Sequence, residues 1–228
     1  MLNSSIHTLI FDLDNTLIDR NAATSLAIQL LLKTAGYHEP YWKTALDDIM
    51  QYDNWGYTDR VEFCSWFLHK YGKGEIQRLT PQAFLKVLQE MTVQKIQPDP
   101  QVQIALQSLA TQFQLVLATN GSSHIQRAKL RQAELESFFQ PEAIFVSGEM
   151  SCEKPNPLFF QKIIQQLQLD PGSTMSIGDN LINDIQAAAV CGLRTCWVSY
   201  GRAGVESIQP IKAITNITET GKWTKQLI

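Results

Sequence analysis

Little in this sequence of 228 residues leans to one side. Lys and Arg number 19 against 22 Asp and Glu, a formal net charge of −3. No basic field exists to hold a polyanion, so nucleic acid is not an expected partner. No run approaches the ~18 consecutive apolar residues of a membrane-spanning helix, so no membrane partner is expected either. The opening stretch MLNSSIHTLIFDLD has no basic start, and Asp12 and Asp14 interrupt its apolar run, unlike a secretory signal. The four cysteines (Cys64, Cys152, Cys191, Cys196) form no C-x-x-C pair, which points to a reducing cytoplasm. Four scattered histidines lack the spacing of a zinc ligand set. Internal repeats and low-complexity tracts are missing. With 44% hydrophobic residues, the chain still has enough to bury the core of one large domain, or of one plus a small insert.

What is present is an alternation. TLIFDLD, from Thr8, reads as a short buried strand ending in carboxylates. From about Asn21 to Lys95 only helical signals follow. They include AATSLAIQLLLKTAG closing at Gly36, RVEFCSWFLHKYG closing at Gly72, and a start at Thr80-Pro81 with Thr as the cap. After Pro98, helices alternate with the apolar runs FQLVLAT, AIFVS, TMSIGD and RTCWVS, and Ala213–Thr215 reads as an edge strand. Strands separated by helices imply right-handed crossovers, and unbroken apolar strands imply burial on both faces. The expected fold is therefore α/β: a doubly wound parallel sheet, Rossmann-like, with an inserted all-helical cap. Residues 1–19 and 96–228 form the expected core and 20–95 the cap, placed as a lid over the carboxyl ends of the strands, where open α/β sheets bind ligands.

Each strand is followed by polar residues. The first ends in Asp12-Leu13-Asp14-Asn15-Thr16, the second in Thr119-Asn120-Gly121, and the fourth in Gly178-Asp179-Asn180 before Asp184. After the third comes Glu153-Lys154-Pro155-Asn156-Pro157. Any one of these sets reads as a turn or helix cap, but four of them at one sheet edge exceed what capping requires. Two like charges 4 Å apart repel by roughly 4 kcal/mol at an effective dielectric of 20. With Asp12, Asp14, Asp179 and Asp184 together and only Lys154 expected to offset them, the edge must raise some pKa values or hold a hard cation. Mg²⁺ suits oxygen ligands of this kind and accepts a phosphate oxygen as well.

These segments resemble the signatures of the haloacid dehalogenase-like (HAD) superfamily of hydrolases, in its phosphatase branch with a helical cap inserted after the first signature. A hydrophobic strand followed by DLDNT, a strand ending in TNG, the loop EKPNP and GDNLIND occur in the family's order. The resemblance implies that Asp12 is a nucleophile forming an aspartyl-phosphate. Asp14 would be the general acid and then base, its carbonyl a Mg²⁺ ligand. Thr119 and the amides around Asn120 and Gly121 would bind phosphoryl oxygens, and Lys154 would bridge nucleophile and phosphate. Asp179 would be the second carboxylate ligand of Mg²⁺, with Asp184 holding a metal-bound water. The implied activity is Mg²⁺-dependent hydrolysis of a small phosphorylated metabolite, a sugar phosphate or a nucleoside monophosphate, by a cytoplasmic monomer or weak dimer.

A phosphomutase would share the same intermediate. A haloacid dehalogenase would share the nucleophile but would need neither metal nor a proton donor such as Asp14. A non-catalytic phospho-Asp switch would use similar residue types, yet such modules usually lack a helical lid. Within the cap, Tyr57 and Arg60 are the candidate substrate contacts, in a stretch where Asn54-Trp55-Gly56-Tyr57 breaks two helices. Phe63 and Trp66 read as cap core. Cys152, beside the lysine loop, has no histidine at motif spacing and reads as a bystander.

Overall fold

The computed structural model describes residues 5–222. The chain divides into two compact units. One runs to Ile18 and resumes at Pro98, and the other is Asp19–Gln97.

The first unit is built on six parallel strands: β1 (Thr8–Phe11), β2 (Gln114–Thr119), β3 (Ile144–Val146), β4 (Thr174–Gly178), β5 (Arg194–Val198) and β6 (Lys212–Ile214). They lie in the order β3-β2-β1-β4-β5-β6. The doubly wound parallel sheet expected from the alternation is therefore present. Every residue of β1 and β4 is buried, as strands covered on both faces require. Successive side chains of β2 serve opposite faces: Val116 and Ala118 join a cluster with Phe145, Phe159, Phe160 and Ile163. The winding reverses at β1, which pairs with β2 on one side and β4 on the other. Ligand crevices open at such a reversal, outside the carboxyl ends of the strands.

Four helices pack against this sheet: α5 (Pro100–Ala110), α6 (Ser123–Gln132), α7 (Pro157–Leu167) and α8 (Ala187–Val190). Two of them start as their sequences dictate, with Asp99-Pro100 and Asn156-Pro157 giving a side-chain cap followed by proline at the first position. Between the apolar runs TMSIGD and RTCWVS the sequence predicts one helix over DIQAAAVCG, and the structure departs from it. A π-helical turn over Leu181–Gln186 leads into the short α8. Apolar periodicity carries no mark of that wider turn.

The second unit is all helical: α1 (Arg20–Thr34), α2 (Tyr41–Asp53), α3 (Arg60–Tyr71) and α4 (Pro81–Lys95). Ile28, Leu32, Ile49, Phe63, Phe67 and Phe84 fill its centre, with Phe67 and Phe84 stacked at 4.7 Å. Trp66 stacks on Tyr52 at 4.1 Å, so Phe63 and Trp66 are packing residues, as expected.

Between α2 and α3 the chain turns through Asn54, Trp55 and Gly56, all at positive φ. Asp53 anchors the turn. It is fully buried and binds Arg60 at 2.8 Å and Arg20 through a second, shorter pair. Burial opposes its charge, but the two guanidinium groups hold its carboxyl below the usual range. Asp53→Ala leaves two arginines facing each other without their anion. The expected cost is about 3 kcal/mol of stability, checked by urea unfolding of the whole protein.

Candidate active site

The tip of β1 is shaped by its own turn. The Leu13 carbonyl accepts the amides of Thr16, Leu17 and Ile18, and Asn15 sits at φ 57, a conformation asparagine tolerates. This tight loop presents Asp12 and Asp14 at the same end of the sheet. Asp12 continues the ladder, its amide donating to the Ile177 carbonyl of β4.

Lys154 reaches this point from the loop before α7 and is almost wholly buried. Its Nζ donates to Asp12 Oδ1 (2.8 Å), Asp184 Oδ1 (2.6 Å) and the Ala118 carbonyl (2.8 Å), which uses all three of its hydrogens. Asn120 holds the loop in place: its Nδ2 donates to the Lys154 carbonyl (2.7 Å) and its Oδ1 accepts the Lys154 amide (3.0 Å). The Asn120 side chain therefore positions the lysine. Burial pushes the Asp12 carboxyl up to about 7; Lys154 opposes the shift and the Asp184 charge adds to it. Burial also disfavours the Lys154 ammonium, but Asp12 and Asp184 outweigh that and hold its pKa above the usual lysine value.

Asp184 folds back from the π-helical turn over the end of β4. Its Oδ2 accepts the Asn180 amide (3.0 Å), and its carbonyl accepts the Ser176 hydroxyl (2.9 Å). A side chain at Gly178 would collide with the Asp184 side chain, so this approach requires glycine. Asp12, Asp179 and Asp184 can each offer a carboxylate oxygen within 4.8 Å of those of the other two, and all three are buried. Such a donor set, oxygen only and anionic, fits a hard divalent cation.

Asp14 faces elsewhere. Lys129 Nζ donates to both its oxygens (2.7 and 2.6 Å), and Gln126 Nε2 donates to Oδ2 (3.0 Å). Arg202, after β5, donates to the Asp179 carbonyl (2.9 Å) and reaches its carboxylate at 3.4 Å. The expectation that Lys154 alone offsets four acids is corrected: Lys129 and Arg202 serve as well. Both were invisible as site residues. Lys129 reads as an ordinary helix-surface cation, although Ile125, Gln126, Lys129 and Leu130 share one helical stripe, and all four are buried.

Thr119 ends β2 buried, its hydroxyl accepting from Gln126 Nε2 (2.6 Å). The Gly121 amide donates to the Ser147 hydroxyl (2.9 Å), and Gly121, at φ 136, leaves room for Gln126 beneath it. In the helical unit Tyr57 is exposed. The Arg60 guanidinium is engaged by the Thr58 carbonyl and by Asp53. Cys152 is half-buried and, like the other three cysteines, forms no disulfide among the described residues.

Residues 9–198 match the family model of the haloacid dehalogenase-like hydrolases. The chain belongs to that family. Among HAD relatives it is 31% identical over 223 residues to the HAD-hydrolase YfnB of Bacillus subtilis, covering 93% of this chain and 92% of that one. A crystal structure of YfnB bound to magnesium superposes with a TM-score of 0.75 at 27% identity, over 95% and 97% of the two chains. The chain is 31% identical over 201 residues to the pyrimidine 5'-nucleotidase PynA of Streptococcus pneumoniae (83% and 82% covered). It is 28% identical over 223 residues to N-acylneuraminate-9-phosphatase of Rattus norvegicus (86% and 84%). The expected membership, a HAD hydrolase of the phosphatase type, is thereby met. Among the described residues, no helix is long and apolar enough to cross a membrane.

Proposed function

We propose that this chain hydrolyses small phosphomonoesters through an aspartyl-phosphate on Asp12, with Mg²⁺ as cofactor. The observation that carries the reading is the buried Lys154 joining Asp12 to Asp184, with Asp179 completing a three-carboxylate cluster. Asp12, Asp179 and Asp184, with the Asp14 carbonyl, would hold the cation. Bound there, it supplies positive charge to phosphoryl oxygens that face an anionic nucleophile.

An Asp12 carboxylate oxygen bonds to phosphorus as the ester P–O bond breaks, and the Asp14 carboxyl gives its proton to the departing alcohol. Asp14, now ionised, takes a proton from the water that attacks the aspartyl-phosphate. Inorganic phosphate leaves and Asp12 is restored. Lys154 neutralises charge on the equatorial oxygens, and the Thr119 hydroxyl with the turn at Asn120–Gly121 binds them.

For the substrate, the names of PynA and N-acylneuraminate-9-phosphatase support a nucleoside monophosphate or a sugar phosphate. Tyr57, exposed on the helical unit, is assigned to reading it. Arg60, whose donors serve Thr58 and Asp53, acts by holding the turn that carries Tyr57. The unpaired cysteines fit a cytoplasmic enzyme, which we take to act as a monomer or weak dimer.

Phosphate release from a panel of sugar phosphates and nucleoside monophosphates, with Mg²⁺ and with chelator, tests the reading. Turnover of at least one ester that ceases in chelator is expected; undiminished turnover in chelator, or none of any ester, overturns it. The Asp12 carboxyl near 7 adds a prediction. Below that pH the metal must displace a proton, so apparent Mg²⁺ affinity falls as pH drops under about 7 and levels off above it. Calorimetry at pH 6 and 8, in buffers of different ionisation enthalpy, reads both the affinity change and the proton released.

A further inference from the structure

Helix α6 carries Gln126 and Lys129 three residues apart, 2% and 7% exposed. Burying an ammonium and an amide on a helix is costly unless they form strong bonds. Here those bonds lead to two groups of the site. Lys129 Nζ binds both oxygens of Asp14. Gln126 Nε2 gives one hydrogen to Asp14 Oδ2 (3.0 Å) and the other to Thr119 Oγ1 (2.6 Å). The amide orientation follows from chemistry, because the flipped form would set its carbonyl oxygen against a carboxylate. Since Thr119 Oγ1 accepts from Gln126, its own hydrogen is left to donate.

We propose that Lys129 and Gln126 are positioning residues that fix the Asp14 carboxyl in register with the Thr119 hydroxyl. Proton delivery to the leaving oxygen then meets a phosphoryl group held at a set distance. The inference rests on the phosphatase reading above and deepens it. A general acid acts only within hydrogen-bond reach of its target, and Asp14 stands on a turn whose side chain is partly open to water. The pair on α6 constrains that side chain from outside its own turn.

The test separates positioning of the acid from mere support of the fold. An alkyl phosphate needs a proton for its departing alkoxide, whereas p-nitrophenolate is stable enough to leave without one. Both esters are assayed with Mg²⁺-saturated full-length protein, and kcat/KM is taken because it reports the steps up to ester cleavage. For Lys129→Met, kcat/KM with an alkyl phosphate falls about 100-fold, the usual worth of a placed acid, and with p-nitrophenyl phosphate about threefold or less. Lys129→Arg, which keeps the cation, recovers most of the alkyl activity. Should the Met variant melt below the assay temperature, Lys129→Gln carries the same comparison. Equal losses on both esters, or no loss on the alkyl ester, overturn the inference while the phosphatase reading stands. Failure of the wild type on both esters overturns the reading itself, and the inference with it.

Discussion

Asp12→Asn lowers phosphomonoester turnover by about 10⁴-fold or more and leaves the protein at least as stable as the wild type without metal. The two halves of this result have one cause. The amide cannot displace the ester as a carboxylate does, so no aspartyl-phosphate forms. It also carries no charge to bury. In the metal-free wild type, the folded Asp12 carboxyl lies near 7, above its ordinary 3.8. The folded state thus holds the proton more tightly than the unfolded state, and stability is fully present below about 4 and lost as pH rises through 7. Between those limits the wild type should lose stability relative to the Asn variant, which lacks the titrating group. Melting temperatures of both proteins in chelator at pH 5 and pH 8, beside single-turnover phosphate release, check the pair of outcomes. An active Asn variant sinks the nucleophile assignment, and a gap in stability that closes as pH rises sinks the charge argument.

Lys154→Met has the next largest effect. The ammonium is buried with Asp12, Asp184 and the Ala118 carbonyl, so removing it leaves two buried carboxylates without their shared partner. Breaking one side of a buried pair costs about 3–5 kcal/mol, and loss of a placed charge from a phosphoryl site adds about 10²–10³-fold in kcat. A divalent cation can take over part of that compensation, whereas wild-type Lys154 already supplies it. Added Mg²⁺ should therefore raise the melting temperature of Lys154→Met more than that of the wild type. Thermal unfolding across a Mg²⁺ series measures this, and an equal rise in both proteins counts against it.

Much of this was legible in the sequence because it is written at strand ends. A buried parallel strand must be apolar, so the first acid after TLIF or TMSIG marks the sheet edge, and Asp12 and Asp179 fall there. Lys154 was legible through the prolines around it. Lys129, Gln126 and Arg202 were not, for different reasons. On α6 the stripe through Ile125 and Leu130 includes two polar residues, and polar residues on a helix are ordinarily read as solvated. Their burial comes from Asp14, 115 residues away in sequence from Lys129, a distance no local period spans. Arg202 lies in a turn after the last central strand, where pattern carries no information. Nothing local in the sequence reveals that Asp53 and Thr58 engage the guanidinium of Arg60, which stands there as a candidate substrate contact.

Asp12, Asp14, Asp179 and Asp184, with Lys154, Lys129 and Arg202 that pair with them, all belong to the unit built on the sheet, whereas Tyr57 belongs to Asp19–Gln97. On the function proposed above, the residues assigned to bond-breaking and the one assigned to substrate choice are encoded on separate stretches of the gene. On that reading, exchange of the stretch between Ile18 and Pro98 would change the diet and pass on the bond-breaking apparatus unaltered.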